Sequence, residues 1–192
     1  MDGQVIAEEE VGRLLDEFRE KAEPLGVTVL RAASRVDAAV AVADWAQSLE
    51  ADCVFVASEV TRQAPGVEAV LTSAGLHVRP PALPAETRDA PLGLSMGRLA
   101  IAETGSVLLS EPTLEDRSVG MLTLAHATIC PTAALVASLD DAGPVIRELA
   151  LTGGGAFSTL VTGPSRTADI ERVLTVGVQG PGKVMTLFVD DL

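Results

Sequence analysis

Between positions 7 and 25, apolar side chains recur at helical spacing (Val11, Leu14, Leu15, Phe18, Ala22 and Leu25) with charged residues between them. The pattern predicts an amphipathic helix packed on the domain or on a partner, ended by Pro24 and Gly26. Val27–Leu30 reads as a short strand. Arg35–Leu49 reads as a second helix that can bury Val36, Val40, Ala43, Trp45, Ala46 and Leu49. Asp52–Ala57 is a compact β-branched run, the pattern of a strand covered on both faces of a parallel sheet. A helix begun by proline follows over Pro65–Ser73 and stops at Gly75. Arg79-Pro80-Pro81-Ala82-Leu83-Pro84 breaks the periodicity, and the chain up to Gly93 reads as a surface connection.

Beyond that break the pattern turns strand-rich. Leu99–Ala102 and Val107–Leu109 flank the turn Glu103-Thr104-Gly105-Ser106, and Leu124–Ile129 and Ala133–Val136 form two more short apolar strands. Glu111 to Gly120 lacks helical periodicity and reads as a polar loop. Asp140 and Asp141 can cap a helix over 142–150, and a glycine triplet at 153–155 precedes a strand over 157–162. A turn at Gly163-Pro164, a short helix from about Thr167, a loop over Gly177–Gly182 and a strand over Lys183–Val189 complete the chain. Strands alternating with helices predict a layered α/β/α fold with a largely parallel central sheet. A length of 192 residues suits one domain, with 1–50 as an N-terminal helical elaboration and 51–192 as the α/β core.

Composition narrows the chemistry. Hydrophobic residues at 47% supply a substantial core, whereas 3% aromatics and no tyrosine leave no stacking platform for single-stranded nucleic acid. A formal charge of −13 argues against binding a phosphate backbone. No apolar run reaches the roughly 18–20 residues of a membrane span, and the start MDGQVIAEEE is acidic, unlike a secretory signal, so the expected location is the cytoplasm. Cys53 reads as a buried inert thiol and Cys130 precedes Pro131. Two such cysteines, with only His77 and His126 as histidines, make neither a cluster ligand set nor a zinc site. The GxGxxG and GxxxxGK[ST] fingerprints are absent. The expectation is therefore a chain without metal or cofactor.

Two loops hold the candidate chemistry. Glu103, with Thr104 and Gly105, follows a strand, where a carboxylate can act as base, nucleophile or hydroxyl-binding group, or accept backbone hydrogen bonds across its turn. Gly163, Ser165, Arg166 and Thr167 open the second place, where amides at a helix start and a guanidinium suit a small anion or phosphate. Asp169 and Glu171 oppose that, leaving polar recognition or a subunit contact as the other use. Gln179 and Gly180 lie in the loop beyond. Arg117 can clamp an oxyanion or pair with Glu115 or Asp116, and His126 can serve as an acid/base or sit hydrogen-bonded in the sheet.

These segments, IAETGSVLLS (101–110), LAHATICP (124–131) and TGPSRTADIERVLTVGVQGPGKV (162–184), resemble the lactate-utilisation protein C family, the LUD-domain family. The likeness is motif-level over about residues 95–190 and weaker from 50 to 95. It departs at Gln179, where the family usually carries a histidine in Gly-Val-His-Gly-Pro. The resemblance implies a fold of the NagB/RpiA/CoA-transferase-like group, which handles sugar phosphates, acyl-CoA and related small anions. It also implies a place beside iron–sulfur proteins in a system oxidising L-lactate to pyruvate, and a homo-oligomer is compatible with it. Glu103-Thr104-Gly105 is loosely similar to the Glu-Asn-Gly nucleophile turn of some CoA transferases.

Overall fold

A computed structural model describes residues 8–151, 157–167 and 175–192. Helix α1 (Glu8–Ala22) leads through a 3-10 turn into strand β1 (Val27–Ala32). Then come α2 (Arg35–Ser48), β2 (Cys53–Val56), α3 (Ser58–Gln63), α4 (Val67–Ser73), β3 (His77–Arg79) and α5 (Pro84–Thr87). Strands β4 (Leu92–Ile101) and β5 (Ser106–Ser110), helix α6 (Leu114–Leu122), β6 (Ala125–Pro131), β7 (Leu135–Val136) and α7 (Leu139–Leu151) follow. The chain closes with β8 (Ser158–Val161), β9 (Arg166–Thr167), β10 (Thr175–Val176) and β11 (Lys183–Val189). The helix pattern at 168–174 and the glycine triplet at 153–155 lie outside the described residues.

The central sheet runs β1-β11-β6-β4-β2-β3, with every neighbouring pair parallel. β1 is a full edge strand, in register with β11 from Val27↔Val184 to Ala32↔Val189. Residues 8–50 therefore supply a sheet strand and core-packing helices. They are not an elaboration added outside the core. β4 is longer than the other strands and belongs to two sheets. Its first half lies between β2 and β6, and its second half pairs with β5 and β7, while β8 extends that smaller sheet beyond β5.

Alternation divides the sheet faces. Leu92, Leu94, Ala125, Ala127, Ile129, Met185 and Leu187 bury one face against Ala38, Ala39 and Val42 of α2 and Val67 and Leu71 of α4. On the other face Val27, Val184, Cys130 and Phe188 pack with Leu14, Leu15 and Phe18 of α1 and with Val107 and Leu109 of the smaller sheet. Phe18 meets Phe188 edge to face at 5.0 Å between ring centroids. Helices thus cover one face, and α1, α6 and a second small sheet share the other. Cys53 is half-buried at the start of β2, less enclosed than its apolar run suggested, while burial pushes the Cys130 thiol up to about 12. Among the described residues no helix is long and apolar enough to cross a membrane.

Candidate functional site

Four of the candidate residues gather at α6. The stretch from Glu111 to Gly120, expected to be a loop, is helical from Leu114 onward, so Arg117 sits on a helix. Thr113 is its N-cap: the Thr113 hydroxyl oxygen accepts from the Asp116 amide at 3.0 Å and donates back to the Asp116 carboxylate at 2.8 Å. Asp116 also accepts from the Ser58 amide at 2.7 Å and the Ser58 hydroxyl at 2.8 Å. One carboxylate thereby ties the start of α6 to the start of α3, over the carboxyl end of β2. Both residues line a cleft of about 560 Å³ that Val56, Thr61, Pro80 and Pro81 also help to form.

The helix approaches the sheet closely because glycine faces it. A Cβ at Gly93 would lie 2.6 Å from the Val119 carbonyl oxygen, so a side chain there would push α6 away. Beyond Gly93, in sheet register, His126 sits beneath Gly120, whose added Cβ would meet the imidazole at 3.2 Å. His126 is 1% exposed, and its Nε2 has no hydrogen-bond partner among the described residues. Burial pushes its pKa down to about 4, so at neutral pH it is an uncharged imidazole. At the far end of α6, a Cβ at Gly180 would stand 3.4 Å from the Met121 carbonyl oxygen, which places the Gly177–Gly182 loop against the helix. Arg117 lays its guanidinium over the Phe157 ring, 4.4 Å from the centroid, and its buried Nε lacks a hydrogen-bond partner among the described residues.

Glu111, just before α6, is a functional candidate that the sequence reading passed over. It is buried, and the Ser95 hydroxyl donates to its carboxyl at 2.7 Å. Burial raises its pKa to about 7; the Ser95 hydrogen bond and the Arg117 charge pull the other way, and the Asp116 charge adds to the rise. Ser95 is in register with Thr128, and Thr128 with Thr186. Three buried hydroxyl residues thus cross β4, β6 and β11 on the face that carries His126. The signal lay in the strands themselves: Leu94-Ser95-Met96, Ala127-Thr128-Ile129 and Met185-Thr186-Leu187 each set one polar residue inside an apolar run.

The Glu103 turn has other company. It is the tip of the β4–β5 hairpin, an antiparallel connection, and so does not open onto the carboxyl edge of the parallel sheet. The Glu103 carboxylate accepts from the Leu139 amide at 3.1 Å, at the start of α7, and the Glu103 amide donates to the Ala137 carbonyl at 3.0 Å. Gly105 has φ +63°, and a Cβ there would meet the Ala22 amide and the Lys21 side chain at 2.9 Å, so the turn seats tightly on the end of α1. Thr104 buries its hydroxyl without a hydrogen-bond partner among the described residues. At the start of α7 Ser138 and Asp141 exchange hydrogen bonds, the Ser138 amide to Asp141 at 3.0 Å and the Asp141 amide to Ser138 at 3.3 Å.

In the second motif Thr167 belongs to β9, paired antiparallel with β10, where the sequence suggested a helix start. The Ser165 amide donates to the Pro181 carbonyl and the Gly177 amide to the Ser165 carbonyl, both at 2.9 Å, so the Gly163–Thr167 and Gly177–Gly182 segments are laced together. That Ser165 amide is taken and does not face an anion. Arg166 donates to the Leu25 carbonyl at 2.6 Å, and Gly163 packs on Leu25, which fastens the motif to the entrance of β1. Gln179 is exposed in the loop. The structure therefore brings Arg117, His126, Ser165 and Gly180 toward α6, while Glu103 makes its contact on α7 and Gly105 on α1.

Comparison with known proteins agrees with this architecture. The LUD domain matches residues 15–189. A lactate utilization protein C of Shouchella clausii is 38% identical over 105 residues, covering 53% of this chain and 45% of that protein. Its Bacillus subtilis counterpart is 33% identical over 108 residues, covering 55% and 45%. The matched stretch thus spans about half the length of these curated relatives. A solved structure of a DUF162 family protein from Deinococcus radiodurans superposes with a TM-score of 0.66, covering 93% of this chain and 98% of that one, at 20% identity. At that identity the likeness is one of fold.

Proposed function

The chain belongs to the LUD domain family, and from that premise we propose that it serves lactate utilisation by binding a small organic anion, beside iron–sulfur partner proteins. The names of the relatives at 31–38% identity support the process. The observation that carries the ligand class is the polar ground at α6: Arg117 on the helix, the uncharged His126 imidazole beneath Gly120, and the buried Glu111 carboxyl bonded to Ser95, which heads a row of hydroxyls on a sheet face that is otherwise apolar. A hydroxy or oxo acid presents the complementary set, a carboxylate for a guanidinium and an oxygen for hydroxyl donors. Arg166 is a second cation of the motifs, held at the start of β1 by its bond to the Leu25 carbonyl.

A second reading is a stand-alone small-anion enzyme of the isomerase or acyl-transfer kind. Glu111 favours it, because a carboxyl that titrates at about 7 can both give and take a proton at neutral pH. A binding-only regulator is the third form of the same site. A thermal-shift series with L-lactate, pyruvate, a sugar phosphate and coenzyme A separates them. Stabilisation by lactate or pyruvate alone is the expected result, and turnover of a sugar phosphate or thioester by the isolated chain would replace the first reading with the second. Arg166→Ala is expected to weaken the bound acid by roughly ten- to hundredfold with the fold intact. Equal affinities by calorimetry would make the Gly163–Thr167 turn purely structural.

A further inference from the structure

Buried polar groups almost always find hydrogen-bond partners. Beneath α6 two atoms depart from that rule, His126 Nε2 and Arg117 Nε, neither with a partner among the described residues. Two residues along β4 from Gly93, the register partner of His126, Ser95 donates to the buried Glu111 carboxyl at 2.7 Å, at the head of the Ser95, Thr128, Thr186 row. A carboxyl so enclosed is stable only if it keeps its proton or meets a cation and donors. Accepting the organic-acid reading above, we infer that Glu111 is the proton-exchanging residue of the site. As the ligand carboxylate docks between Arg117 and the hydroxyl row, Glu111 takes one proton from solvent and donates it in a hydrogen bond to the ligand.

The neighbouring charges fit that role. Asp116 on α6 disfavours an ionised Glu111, Arg117 on α6 favours it, and His126 on β6 stays uncharged above about pH 4. A second carboxylate arriving beside Glu111 adds like-charge repulsion, so its proton is held more tightly in the complex than in the free protein. Free Glu111 titrates at about 7, so proton uptake on binding vanishes by about pH 5, where the group is already protonated, and grows as pH rises through about 7.

Calorimetry of the full chain with L-lactate and with pyruvate, in buffers of different ionisation enthalpy, reads this proton directly. Wild type is expected to take up protons on binding either acid at pH about 8, and Glu111→Gln, whose amide can still donate to the ligand, none. Equal proton counts in the two proteins would overturn the inference and leave the organic-acid reading standing. No heat with either acid would overturn both. Ser95→Ala keeps the carboxyl but removes the hydroxyl that favours its ionised form, so the midpoint of proton uptake should move to higher pH. An unmoved midpoint in that variant also tells against the inference.

Discussion

Glu111 and His126 share one sheet face and titrate in opposite senses. Burial raises Glu111 to about 7 from an ordinary 4.5, so the folded chain keeps a proton that the unfolded chain releases. Its contribution is full below about pH 4.5 and is lost as pH rises through about 7. Burial lowers His126 from 6.5 to about 4, so its contribution is full above about 6.5 and is lost as pH falls through about 4. Between those limits the two slopes oppose each other. Relative to its difference at pH about 4.5, Glu111→Gln should gain stability over wild type on the order of 3 kcal/mol by pH 8. Urea unfolding across that range measures it. A difference that does not change with pH would mean that Glu111 titrates like an exposed carboxyl.

At the scale of elements, α6 depends on close approach and on one latch. Gly93→Ala should cost about 1–3 kcal/mol, because the Val119 carbonyl backbone would have to move. Asp116→Ala should cost about 2–4 kcal/mol, since it leaves the Ser58 amide, the Ser58 hydroxyl and the Thr113 cap without their acceptor. Both are read as shifts in denaturation midpoint. Glu103→Ala tests the other motif: loss of the Leu139 amide's acceptor at the start of α7 should cost about 1 kcal/mol and leave ligand affinity unchanged. A large loss of affinity in that variant would return Glu103 to the binding site. Helix α6 itself was hidden from hydrophobic periodicity because the face it buries carries Asp116 and Ser118 beside Val119. Gly120 and Ser118 also lower its intrinsic propensity. The Thr113-x-x-Asp116 cap was the legible sign.

For the molecule as a whole, cofactor chemistry is the property most open to a direct check. Among the described residues no group of three or more histidine, cysteine, aspartate or glutamate side chains is placed to hold a metal ion. Purified protein is expected to be colourless, without absorbance between about 350 and 500 nm. Stoichiometric iron or flavin in a clean preparation would overturn that expectation.

The sequence alone determined strands β1, β2, β6 and β11 and helices α1, α2 and α4, because burial imposes apolar runs on strands and an apolar stripe on helices; α3, β3 and the first half of β4, read as connections, took their form from packing. The sequence also carried the family motifs, since those are local strings. Strand order was decided only in three dimensions: β1 and β11, at opposite ends of the chain, pair along their whole length. The partition of the motifs was decided there too. In the fold the Glu103 carboxylate accepts from the Leu139 amide at the start of α7, and Arg166 is held to the Leu25 carbonyl at the start of β1. Glu111 shows the physical reason most plainly. A carboxyl's proton affinity depends on who surrounds it, and Ser95, Asp116 and Arg117 become its surroundings only when β4 and α6 close over the same face.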